Sequence, residues 1–108
     1  MEQKTENVRA GMPDLLERLP DLLEREKLFL YDAALLRQVL DLPPDGAIRE
    51  KFGLPLNRLM DVYRIDHARK LLVEYKIKYD RVWRLSGFGS EEELENAMEE
   101  VVEYKKNH

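Results

Sequence analysis

Apolar positions in this chain recur at spacings of three and four, and nowhere do they alternate over the length of a strand. The hexapeptide PDLLER occurs twice, at 13–18 and 20–25, so Leu15, Leu16, Leu19, Leu22 and Leu23 fall on one helical stripe. Pro20 interrupts that stripe, and proline suits a first helical turn better than an interior one. The pattern predicts a short helix to about Leu19 and another from Pro20 to about Leu28. One heptad step is too little for a coiled coil. Asp32 then stands as an N-cap before Ala33, Leu35, Val39 and Leu40, which keep helical spacing. Pro43-Pro44-Asp45-Gly46 ends this helix, and AIREKFG is a short helix at most, closed by Gly53. The clearest long helix covers about 55–75, with Leu59, Val62, Ile65, Ala68, Leu72 and Tyr75 as its buried stripe and Arg58, Arg64, Arg69 and Lys70 largely off it. A further short helix carries Val82 and Leu85 inward, with Trp83 near. Gly87-Phe88-Gly89 forms a turn, and Ser90 to Glu93 matches the capping box S-x-x-E. Leu94, Ala97, Met98, Val101 and Val102 make the inward face of the last helix. No segment reads as a strand, so the predicted class is all-α.

Composition narrows this picture. The 108 residues suffice for one domain with a modest core, and 44% hydrophobic with 37% charged content suits a folded helical domain rather than a disordered chain. With no cysteine, disulfides and thiolate metal sites are excluded. The apolar runs are too short for a membrane span, so no membrane partner is expected. The opening MEQKTENVR is polar and lacks a signal-peptide core, which makes a cytoplasmic location the default and residues 1–11 a flexible lead. Catalytic chemistry is thin. His67 and His108 are the two histidines, and His67 reads as a surface residue. Ser86 and Ser90 read as turn and cap, Trp83 as core or groove lining, and there is no glycine-rich phosphate loop. No enzyme activity, cofactor or metal is expected.

The order of features in GLPLNRLMDVYRIDHARKLL…RVWRLSGFGSEEELENAMEEV resembles the DNA-binding domain of the AraC/XylS family of bacterial transcriptional regulators. Arg64-Ile65, Ala68, Leu71 and Leu72 match the family's linker-helix pattern. Val82-Trp83, Gly87-Phe88, Ser90 and Leu94 stand where its second unit has I-A, G-F, the cap and an aromatic residue. The resemblance covers about residues 22–103. It implies two helix-turn-helix units joined by a long central helix: 12–54 for the N-terminal helices and first unit, 55–76 for the linker helix, and 77–108 for the second unit. It also implies double-stranded DNA as partner. The departures are a first unit about one helical turn short between Leu40 and Phe52, with Pro43, Pro44 and Gly46 in what remains, and the absence of the family's tail after the last helix.

Charge bears on the implied function. The chain is at −4 overall; divided into 1–30, 31–56, 57–76 and 77–108, only 57–76 is net positive, with 5 basic and 3 acidic residues. Arg58, Arg64, Lys70, Arg81 and Arg84 are the candidate phosphate contacts. In the second recognition helix the resemblance assigns Ser90, Glu91, Glu92, Glu95 and Asn96 to the DNA-facing positions. The stretch from Glu91 to Glu103 holds seven glutamates and no base. One carboxylate can accept from cytosine N4, but several together meet the phosphate field unpaired. In a first turn they also complement the helix macrodipole, each by about 0.3–1 kcal/mol. Two readings therefore stand open: a DNA-binding regulator domain with weak or degenerate affinity, and a protein-interaction module built on a former DNA-binding fold, with a protein partner or a homodimer.

Overall fold

The computed structural model describes residues 11–107, with side chains from Leu15 onward except Tyr104, Lys105 and Asn107. The predicted lead lies outside these residues apart from Gly11, which already belongs to the first helix. The described chain is all-α: α1 Gly11–Arg25, a 3-10 turn Leu28–Leu30, α2 Ala33–Leu40, α3 Asp45–Phe52, α4 Leu56–Val73, α5 Tyr79–Leu85 and α6 Glu91–Asn107.

The predicted break at Pro20 does not occur; α1 runs through it. A continuous helix is what brings Leu19 and Leu23, one turn apart, into the core, where both are fully buried. Their burial outweighs the one hydrogen bond that proline removes. Asp32 caps α2 as expected, its carboxylate accepting from the Leu35 amide at 3.3 Å. The inward residue of α2, however, is Leu36, whereas Leu35 and Val39 face solvent. Asp41 ends the helix in the left-handed region (φ 52°). The turn lies at Asp41–Pro44 rather than Pro43–Gly46, because Asp45 and Gly46 already form the first turn of α3. Arg37 ties this turn down, donating to the Pro43 carbonyl at 2.8 Å and to Asp45, which also accepts from the Leu56 amide at 3.1 Å. Gly53, at φ 82°, closes α3 by donating to Arg49 O at 2.7 Å. At eight residues α3 is little more than two turns.

The long helix α4 serves two apolar clusters. Its Leu56, Leu59 and Met60 pack with Leu19, Leu23, Leu36, Leu42 and Ile48 from α1, α2, the turn and α3. Its Ile65 and Ala68 pack with Val82, Phe88, Leu94, Ala97 and Val101 from α5, the turn and α6. Leu72 and Met98 are half-buried, and Tyr75 and Val102 are exposed instead of inward. On α5 the inward residues are Val82 and, one position beyond the helix, Ser86, while Leu85 faces solvent. The helix ends one residue before the position that reaches the core, and a helical wheel drawn through Leu85 cannot show that.

Candidate functional site at the seam of the two clusters

Between Met60 and Ile65, where α4 passes from one cluster to the other, lie Asp61 and Arg64. Both side chains are about 10% exposed. Arg64 Nε donates to the Phe29 carbonyl at 2.7 Å, one terminal nitrogen to the Tyr31 carbonyl at 2.8 Å, and the other to Asp61 Oδ1 at 2.8 Å. The planar guanidinium thus satisfies the carbonyls of Phe29, within the 3-10 turn, and of Tyr31, just after it, which have no strand or long helix to donate to them. Asp61 Oδ2 accepts from Arg58 at 3.1 Å, and Arg58 also pairs with Glu100 of α6. Gly87 completes the seam. Its φ of 91° brings the turn so close that a Cβ there would sit 3.3 Å from Arg64 Nε and 3.3 Å from Leu30 Cα.

This chain of charge borders a cleft of about 660 Å³ between the 30–33 segment, the start of α4, the Gly87–Gly89 turn and one face of α6. Its ionisable walls are Asp32, Asp61, Glu93, Glu100, Arg58 and Arg64, an acidic balance of four against two. Asn57 and Asn96 add neutral polar groups.

Of the five predicted phosphate contacts, Arg58 and Arg64 both pair with Asp61; Arg64 turns inward, which corrects its placement off the buried stripe, whereas Arg58 stays half-exposed. Arg64 is buried, with its donors committed to protein acceptors. Lys70, Arg81 and Arg84 remain exposed; Arg84 lies over the Trp83 ring at 5.3 Å, and Lys70 and Arg81 are in no ion pair among the described residues. The residues assigned to a second recognition helix fall at the start of α6. The Ser90 hydroxyl accepts from the Glu93 amide at 3.1 Å, and Glu91, Glu92, Glu95 and Asn96 are exposed. The return bond of the capping box comes from Gly89 rather than Ser90, its N–H donating to Glu93 Oε1 at 3.4 Å. Glu95 also accepts from the Tyr79 hydroxyl at 3.3 Å. Loss of hydration and the neighbouring Glu95 and Glu91 charges push the Tyr79 phenol up from its ordinary value.

The sequence does not mark Asp61 and Glu100 as site residues. The Arg58–Asp61 and Asp61–Arg64 spacings of three made local pairing legible, but the carbonyls of Phe29 and Tyr31 lie 35 and 33 positions from Arg64. His67 is also more than a surface residue. Its ring is half-buried against Phe29, centroids 5.2 Å apart, beside a second cavity of about 460 Å³. Burial first, then Lys27 and Lys70, lowers its pKa. Among the described residues no cluster of three or more metal-ligating side chains is present, and no helix is long and apolar enough to cross a membrane. No protein-family model, curated protein or solved structure matches this chain.

Proposed function

We propose that this chain is a helix-turn-helix module of the AraC/XylS type that binds double-stranded DNA weakly and without sequence preference, and that it works through contacts with another protein. Two helix pairs support the architectural part. In α2–α3 and α5–α6 a short turn with a left-handed residue, Asp41 or Gly87, joins two helices, and α4 runs between the pairs. The observation that carries the functional part is the fate of the charges. Arg64 is consumed inside the protein and the half-exposed Arg58 is held by Asp61 and Glu100, while Glu91, Glu92 and Glu95 stand in solvent at the start of α6. A recognition helix enters the major groove by that end. Affinity for DNA comes from neutralising phosphates, and non-specific binding has a Kd of about 10⁻⁴–10⁻⁶ M at physiological salt. Carboxylates at the docking end oppose that term.

The exposed Lys70, Arg81 and Arg84 favour a residual phosphate contact. Fluorescence anisotropy on a mixed-sequence duplex tests the proposal. The wild-type chain should bind weakly and lose binding as salt rises. Changing Glu91, Glu92 and Glu95 to Gln should strengthen binding, most at low salt. Tight, sequence-selective binding that these Gln changes weaken would show that the glutamates read bases, and would overturn the proposal.

A further inference from the structure

With Leu36 turned into the core, the 100° step of a helix places Ala34, Gln38, Leu35 and Val39 on one solvent-facing arc of about 140°. That arc bears no charge, in a chain where 37% of residues do. Leu35 is 48% exposed and Val39 65%. Tyr31 and Leu30, also exposed, extend the arc beyond the start of α2, and both line the acidic cleft. Asp32, a wall of the cleft, accepts from the Leu35 amide, so the uncharged arc starts at the edge of the cleft. Within the cleft, Arg58 offsets Glu100, and Arg64 with Arg58 offsets Asp61. Among the described residues the Asp32 carboxylate accepts from the Leu35 amide and the Glu93 carboxylate from the Gly89 amide, and neither has a cationic partner.

Building on the protein-interaction reading, we propose that this surface docks a cationic amphipathic segment of a partner protein. Its apolar side chains lie over Tyr31, Leu35 and Val39, and its lysines or arginines reach Asp32 and Glu93. Charge selects this occupant. Isolated apolar residues on a surface are ordinary, but an uncharged face beside two carboxylates that lack a cationic partner among the described residues marks an interaction site. A second copy of this chain, itself at −4, would double the acidic charge at the joint. Nucleic acid meets the same repulsion.

The test is an amide-resolved NMR titration of the full chain with a synthetic amphipathic peptide of Leu, Ala and Lys, and with its Leu/Ala/Glu counterpart. The Lys peptide should shift the amides of Tyr31, Leu35, Val39, Gly89 and Glu93, and bind about tenfold or more tighter than the Glu peptide. Leu35→Glu, at an exposed position, should abolish this binding with an unchanged far-UV spectrum. Asp32→Asn with Glu93→Gln keeps both capping acceptors and should weaken binding several-fold at low salt. Equal binding of the two peptides, shifts confined to residues 69–85 or to the solvent face of α6, or a dimer that Leu35→Glu dissolves would each overturn the proposal. Tight DNA binding in the anisotropy experiment would overturn the preceding reading and leave this map unmoved.

Discussion

Replacing Arg64 by alanine removes three charge-assisted or carbonyl-directed hydrogen bonds at once. It leaves Asp61, about 10% exposed, with only the half-exposed Arg58 as counter-charge. It also strands the carbonyls of Phe29 and Tyr31, whose distances to the guanidinium are 2.7 and 2.8 Å. Removing one partner of a buried ion pair costs about 3–5 kcal/mol, because the other charge stays buried without compensation. A domain of this size is stable by about 5–15 kcal/mol in total, so the variant should lose a large share of its stability and melt more than ~10 °C lower. Arg64→Lys should fall between wild type and alanine, since one ammonium cannot span three acceptors set in a fork. Adding Asp61→Leu to Arg64→Leu should recover part of the loss by removing the stranded charge, but not the part owed to the two carbonyls. Urea unfolding followed by far-UV circular dichroism reads these differences at constant slope. A loss below ~1 kcal/mol for Arg64→Ala, with its effect confined to DNA affinity, would refute the structural role and restore Arg64 as a phosphate contact.

Two glycines should respond in opposite directions in thermal melts. Gly87→Ala should cost about 1–3 kcal/mol, because φ is 91° and the new Cβ meets backbone at Leu30. Gly46→Ala should stabilise by up to about 1 kcal/mol, since the site is helical and nothing lies within 4 Å. Ala68→Asp, at a position 3% exposed in the second cluster, should destabilise by several kcal/mol, or about 3 or more, by burying an unpaired carboxylate; a folded variant with an unchanged urea midpoint would contradict the packing. The Leu56 amide, aided by Arg37, holds the Asp45 carboxyl below its ordinary value. A depressed carboxyl stabilises the fold above its unfolded pKa and loses that contribution as pH falls through the folded value. Urea midpoints should therefore drop below about pH 4, by less in Asp45→Asn, and by a small amount because Asp45 is exposed to solvent.

Local rules of the chain determined a good part of this protein. Period, caps and breakers were enough for the all-α class, the Asp32 cap, the Gly53 stop, the Ser90 cap and the extent of α4 within two residues at either end. These features depend on neighbours within a turn or two, so their causes are written next to them. Tertiary structure decided which helical face points inward. On α2 the choice between Leu35 and Leu36 depends on where α1 and α4 lie, and on α5 the choice between Leu85 and Ser86 depends on where the helix ends. It also decided that α1 continues through Pro20, because the burial of Leu19 and Leu23 lies outside any local propensity. Above all it decided the role of Arg64. In the sequence this is a cation on a charged helix; in the fold it occupies the seam between two cores, where two carbonyls more than thirty residues away lack donors and a planar cation can serve both.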